Sequence, residues 1–214
     1  MFWSLRHLVW FTEERDWMHP VLLFGLINLV PVAGQMAALG WMLEMRDSLR
    51  AGRSAVPPAG FRYLRRGVEP WLALVCVSCV WLAVVVVSCA VAAAMVGAAS
   101  ASSPRMLLLA VPLGLGVAIF LFGGLLLLGY VCAAVLTVAD AGGLAAALDP
   151  VTLLSVAGAN QGPSWKTLGA YLAGLVIVLT CCIVPPAAVL VSAVPYLLVA
   201  PWLAEVDPSA PARM

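Results

Sequence analysis

LINLVPVAGQMAALGW, residues 26–41, is apolar almost throughout, yet Pro31 and Gly34 sit in its middle. A proline inside a helix removes one backbone hydrogen bond and clashes with the preceding turn. The stretch is therefore either one kinked helix or two helices meeting at a turn, and the choice sets the path of everything that follows. It lies within a longer apolar run, residues 18–45, that stops at the most polar stretch of the chain, RDSLRAGRSAVPPAGFRYLRRGVEP.

Composition narrows the solvent in which the turn must sit. Of 214 residues, 64% are hydrophobic and 10% are charged, against about 25% charged in soluble domains. That is too little polar material for a water-facing shell, and apolar runs of the roughly 20 residues needed to cross a bilayer recur along the chain. An all-α, polytopic integral membrane helical bundle is the expected class, one domain over residues 1–206. With a net charge of +1, bulk electrostatics favour no nucleic-acid partner. The start, MFWSLRHLVWFTEERDW, has no basic lead, no long apolar core and no small-residue cleavage site, so it is expected to be retained. All six cysteines lie in apolar segments, where free thiols pack as small hydrophobes.

Along the chain, residues 1–11 read as an interfacial helix, with Trp3 and Trp10 at headgroup level and Thr12 capping a new helix. Residues 71–99 and 106–138 read as two full spans. The second exceeds a hydrocarbon core of about 30 Å at about 1.5 Å per residue, so one end should project. Residues 46–69 form a basic loop and residues 139–166 a small, amphipathic surface loop. Residues 167–205 are apolar around IVPPAA, and 207–214 form a disordered tail.

Charge weighs the opening alternatives. Arginine and lysine in short loops mark the cytoplasmic side, which places Arg46, Arg50, Arg53, Arg62, Arg65 and Arg66 inside. A single span over 18–45 would leave Arg6, Arg15 and Arg105 outside, whereas a hairpin over 18–50 leaves only Arg105 there. The bias favours two proline-broken hairpins, 18–50 and 167–205, flanking the two full spans, with both termini cytoplasmic. Each arm of the first would reach only about 20 Å. Both hairpins run from a tryptophan through an apolar arm to a Val-Pro-x-Ala turn, and paired broken segments of this kind occur in transporters.

The order DW…LLFGLINLVPVAGQMAALGWMLEMRDSLRAG, then AVPPAGFRYLRRGVEPWL, two long spans and VADAGGLAAALDPVTLLSVAGANQGPSWK resembles domain of unknown function family 4013, over roughly residues 12–204. Its members are uncharacterised prokaryotic membrane proteins, which implies the cytoplasmic (plasma) membrane. The polar loop carries Phe61 and Tyr63 where the resemblance would place tryptophans. It implies no catalytic or ligand residues.

Candidate chemistry is sparse. Cys76 and Cys79 share one helical face but lack further metal donors, and no nucleotide, hydrolase or zinc-protease motif is present, so no cofactor or metal is expected. Ionisable residues at depth would be the sharpest pointer, yet between 71 and 138 only Arg105 occurs. Asn28 and Gln35 flank the Pro31 turn and, with Glu44 beyond Gly40, are the candidate polar or ligand contacts. The six arginines of the basic loop are the candidate contacts for anionic lipid headgroups. Glycines and alanines along 114–133 allow close approach of other helices, from another membrane protein or a second copy. The expected role is a non-enzymatic accessory or scaffold subunit of a membrane assembly. The alternative is a transporter or channel for an uncharged or lipidic solute.

Overall fold

The computed structural model describes residues 10–13, 16–53, 55–102, 107–181 and 192–209. Among them the chain is helical and contains no strand. The helices are α1 (Met18–Ile27), α2 (Ala33–Arg50), α3 (Leu64–Ser102), α4 (Leu107–Ala147), α5 (Pro150–Ala159), α6 (Gln161–Cys181) and α7 (Val194–Ala204). Short 3-10 turns occur at Trp10–Glu13 and Phe61–Tyr63. Contacts divide the chain into two compact units, one of Met1–Leu74 with Tyr130–Met214 and one of Val75–Gly129.

In the larger unit, residues 26–41 form two helices and a turn. The amide of Ala33 donates to the Pro31 carbonyl at 2.7 Å around Val32, whose φ of 65° and ψ of −64° define a γ-turn of the rare, strained hand. A β-branched residue at positive φ is a backbone outlier. Gly34 lets α2 begin tight against the end of α1, because a Cβ there would collide with the Ile27 carbonyl oxygen. The helices then pack through Phe24 and Trp41, whose rings stack with centroids 4.1 Å apart. Both side chains are fully buried.

Two glycines bring α2 and α3 together. A Cβ on Gly40 would strike the Tyr63 carbonyl, and one on Gly67 the Met36 carbonyl, so the backbones touch where any side chain would hold them apart. Helix α2 closes in a Schellman motif, with Arg53 N–H donating to Ser48 O at 2.9 Å and Gly52 N–H to Leu49 O at 3.0 Å; Gly52 takes the required left-handed φ of 72°. Helix α4 breaks at Gly143, with φ 78° and ψ −178°, a region open essentially only to glycine. Asp149 then caps α5, accepting from the amides of Val151 at 3.2 Å and Thr152 at 3.1 Å, with Pro150 in the first turn. Helices α6 and α7 pack closely where Gly174 meets Pro195.

Several expectations are corrected. Residues 139–166 are not a loop but the end of α4, all of α5 and the start of α6, because a run rich in alanine continues the helix until Gly143 and then re-caps at Asp149. The basic segment 46–69 is helical at both ends, up to Arg50 and again from Leu64. Thr12 does not cap a helix: it lies within a 3-10 turn, and α1 begins at Met18. Trp10 and Phe11 are buried rather than interfacial, the Trp10 indole donating to Leu197 O at 3.1 Å. The tail is anchored through Ser209, since Asn160 accepts from Asp207 N–H and donates to Asp207 O, each at 2.9 Å. The remainder of the interfacial segment 1–11, the IVPPAA turn and residues 210–214 lie outside the described residues.

The smaller unit, Val75–Gly129, holds the helical stretches 75–102 and 107–129. Helices α3 and α4 are each long and apolar enough to cross a membrane, by length and composition, with 18-residue windows of mean hydropathy 2.8 and 2.5 within Phe61–Gly97 and Gly114–Ala147. Within this unit Trp81 lies over Gly124, where a Cβ would intrude on its ring, and beside Phe120 at 6.0 Å. A groove of about 440 Å³ opens between the two stretches, lined by Val87, Val91, Met95, Pro112, Gly116 and Phe120.

Two backbone substitutions should move stability in opposite directions. Val32→Gly relieves strain of about 1–3 kcal/mol, offset by roughly 0.4–1 kcal/mol of added unfolded-state entropy, so the apparent Tm in mild detergent should rise. Gly143→Ala forces an L-residue into the glycine-only region and should lower it by the equivalent of about 1–3 kcal/mol. A thermal scan of the purified variants checks both, and an unchanged Tm for Gly143→Ala would contradict the break.

Candidate functional site

The densest chemistry in the larger unit gathers at the polar ends of α2, α3 and α4. Glu44 and Asp47, three apart on α2, share one face, while Arg46 turns inward and is only 5% exposed. The close backbone approach of α2 and α3 at Gly40 and Gly67 sets Arg66 opposite them. Asp140 arrives from α4, three residues before the Gly143 break. Arg66 donates to Asp140 through a two-pronged fork, Nε to Oδ1 and Nη2 to Oδ2, both at 2.9 Å. Arg46 Nη2 reaches the same Oδ2 at 2.5 Å. Arg66 also donates to Glu44 Oε2 at 3.0 Å and Asp47 Oδ2 at 2.5 Å, and Arg46 Nε to Asp47 Oδ1 at 2.9 Å.

Arg50, one turn further along α2, reaches the C-terminal end of α7. Its Nε donates to Ala204 O at 3.0 Å and its Nη2 to Val206 O. A guanidinium on the last carbonyls of a helix satisfies acceptors that lack helical partners and complements the helix dipole. Four segments are thereby tied at one place.

Arg66 and Asp140 lie outside the apolar stretches 71–99 and 106–138, and their protonation is fixed by the cluster. Hydrogen bonding to Asp140 holds Arg66 above its ordinary value against the effect of burial. Burial pushes Asp140 up, but hydrogen bonds from Arg66 and Arg46 together with their charges outweigh it and hold the carboxyl below the usual range. A general acid or base works best with a pKa near the operating pH; a carboxylate committed to two arginines is instead suited to holding helix ends at fixed spacing.

The structure does not bring Asn28, Gln35 and Glu44 together. Glu44 pairs with Arg66, and the exposed Gln35 accepts from the Trp71 indole at 3.2 Å. Asn28 faces Tyr196, its Oδ1 buried without a well-formed hydrogen bond. The six arginines split. Arg46 and Arg66 donate to carboxylates of the cluster, and Arg50, itself exposed, donates to the helix-end carbonyls of Ala204 and Val206. Arg53, Arg62 and Arg65 are exposed. Cys76, Cys79, Cys89 and Cys132 are free thiols, and among the described residues no three histidine, cysteine or acidic side chains gather as a metal site. Cys182 lies outside the described residues.

Sequence reasoning missed Asp140, which it left in a surface loop. A signal was available: Asp140 is the only acidic residue between Glu69 and Asp149, and it ends a long apolar run. A lone carboxylate in that setting calls for a basic partner.

A family model described as "Protein of unknown function (DUF4013)" matches residues 23–199, and the chain belongs to that family. No curated protein and no solved structure matches it.

Removing the shared acceptor should be costly. Asp140→Asn removes the carboxylate that joins both guanidiniums to α4 and leaves them with Asp47 and Glu44, a loss of about 1.5–3 kcal/mol. Lys166→Gln, which breaks a half-exposed pair with Glu205 at 3.0 Å, should cost less than about 1 kcal/mol. Denaturation in detergent compares the two, and equal losses would refute the clasp. Because Asp140 is held below its unfolded value of about 3.9, its contribution is complete above that pH and is lost as the pH falls below it.

Proposed function

We propose that this chain is a multi-pass protein of the prokaryotic cytoplasmic membrane and acts there as a non-enzymatic accessory or scaffold subunit of a membrane assembly. At about 1.5 Å per residue α3 is about 58 Å long, ample to cross a core of about 30 Å. Its apolar side chains, among them Val80, Leu82 and Val87, are about 60–70% exposed, as lipid-facing residues would be. In this reading the arginine-rich region 46–66 and both termini face the cytoplasm, in keeping with the positive-inside rule.

The observation that carries the accessory role is the glycine face of α4. Among the described residues, and apart from the adjoining residues and backbone of α4 itself, no atom lies within 4 Å of a Cβ built on Gly114, Gly116 or Gly123. Small residues at a helix surface allow a second helix to approach backbone to backbone, and here that approach is left open. Meanwhile the charged groups of the cluster are consumed in holding the chain together. A second reading, a transporter or channel for an uncharged or lipidic solute, draws on the apolar groove beside Gly116.

Two measurements test the proposal. Alkaline carbonate should leave the chain in the membrane pellet, and its release would sink the membrane reading. A mild-detergent pull-down from native membranes should bring a stoichiometric membrane partner that is lost, at unchanged expression, when Gly116 and Gly123 are both replaced by leucine. A chain that comes down alone, and that by itself moves or converts a solute, would refute the accessory role.

A further inference from the structure

The turn between α1 and α2 is apolar on its outside. Leu26, Leu29, Val30 and Val32 are 53%, 59%, 43% and 46% exposed. The chain still winds helically past the end of α1, since Leu29 N–H donates to Leu26 O at 3.1 Å and Val30 N–H to Ile27 O at 3.0 Å. Leu26, Leu29 and Val30, spaced three and four apart, therefore share one face, and the exposed Leu23 continues it one turn back. No charged residue occurs between His19 and Glu44. The polar side chains nearest the turn are directed elsewhere, Asn28 toward Tyr196 and Gln35 to the Trp71 indole.

Contacts with α3 fix the level at which this turn lies. Gly40 meets the Tyr63 carbonyl, the Met36 carbonyl meets Gly67, and Gln35 accepts from Trp71 at 3.2 Å. Partners on α3 rise in number as those on α2 fall, so the two helices run antiparallel. The start of α2 is level with Trp71, the first residue of the apolar stretch 71–99. Val32 precedes Gln35 by three residues and so reaches roughly 5 Å past it, at about 1.5 Å per residue. Arg46 and Arg50 lie the other way along α2, about 17 Å and about 23 Å from Gln35 on the same measure.

The backbone of the turn is closed on itself. Of the six amides in residues 28–34, five donate within the turn: Asn28 to Phe24 O, Leu29 to Leu26 O, Val30 to Ile27 O, Ala33 to Pro31 O and Gly34 to Val30 O. Pro31 carries no amide. The strained conformation of Val32 is what supplies the Ala33 bond. In water that amide bonds solvent without strain, whereas in hydrocarbon an unpaired amide costs more than the strain of one residue.

We propose that the α1–α2 turn is a shallow wedge, with Leu26, Leu29, Val30 and Val32 inserted among the acyl chains of the leaflet that α3 enters. The inference rests on the membrane reading above and deepens it. Acyl chains are the occupant because the turn lies just past a tryptophan at the start of an apolar stretch, where the headgroup layer gives way to hydrocarbon. An apolar face that lies in the interface without spanning is buried by about 5–10 Å, the reach this turn has beyond Trp71. Helix α2 itself runs beside residues 63–71, ahead of the apolar stretch, so the hairpin dips into one leaflet and does not cross.

The test places the photo-crosslinker p-benzoylphenylalanine singly at Leu29, Val30, Arg53 or Val80 of the full chain. Each variant is reconstituted in phosphatidylglycerol and phosphatidylethanolamine vesicles, and also irradiated in native membranes. Adducts are identified by mass spectrometry and read per chain remaining after a carbonate wash, at helicity matched to the unaltered chain. Residues 29 and 30 are exposed, as are Arg53 at the far end of α2 and Val80 within α3. Acyl-chain adducts at 29 and 30 should match the yield at Val80 and exceed that at Arg53 several-fold. Yields at 29 and 30 no higher than at Arg53, with Val80 still labelled by lipid, would overturn the wedge and leave the membrane reading standing. Adducts confined to headgroups would overturn it as well. So would cross-links from 29 or 30 to another protein or a second copy in place of lipid. Loss of the acyl adduct at Val80 too, or release of the chain by carbonate, would sink the membrane reading together with the wedge.

Discussion

The architecture of the larger unit depends on one carboxylate answering two arginines. Asp140 accepts from Arg66 by a fork and from Arg46 beside it, so the ends of α2, α3 and α4 are held at a spacing set by charge-assisted hydrogen bonds. Burying charge is costly unless geometry and hydrogen bonding compensate. Here Arg66 has three carboxylate partners and Arg46 two. The network exists because α2 and α3 touch at Gly40 and Gly67. Wider separation would carry Arg66 out of reach of Glu44 and Asp47.

Around that contact the backbone makes its departures from regular helix where the chain must change direction. The γ-turn at Val32 folds α1 back so that Phe24 can stack on Trp41. The Schellman motif at Gly52 releases the chain into a loop that Trp41 and Tyr63 then hold by its proline carbonyls. Gly143 redirects α4 beside Glu69, and Asp149 starts the next helix. Each departure occurs at a residue whose conformational range or hydrogen-bonding capacity suits it, except Val32. Val32 is strained, and stacking of the flanking helices must outweigh its cost.

Among the described residues, the features that face outward include apolar side chains of α3 and α4, open glycines of α4 and the exposed Arg50, Arg53, Arg62 and Arg65. The family to which the chain belongs is itself described without a function.

Helical class, the two long apolar segments and the family follow from local sequence, because length, hydropathy and the order of Pro, Gly and Trp punctuation are properties of short stretches. The break at Pro31 was open to two readings from sequence, since proline can also sit within a helix, as Pro70, Pro112 and Pro201 do here, and the close approach at Gly34 is what completes the turn. What tertiary structure alone decided is which polar groups meet. Asp140 lies 94 residues from Arg46 and 74 from Arg66, and no local pattern links them. Which of six similar arginines find partners, Arg46 and Arg66 with carboxylates and the exposed Arg50 with helix-end carbonyls, depends on which side of α2 faces α7 and α3. The helical nature of 139–166 was missed because a mildly amphipathic alanine-rich run reads as surface loop until its inner residues, Leu153, Val156 and Ala157, are seen to be buried. Sequence determines what each segment can be; packing determines which of its charges remain free, because a guanidinium is committed only when a carboxylate from another segment arrives beside it.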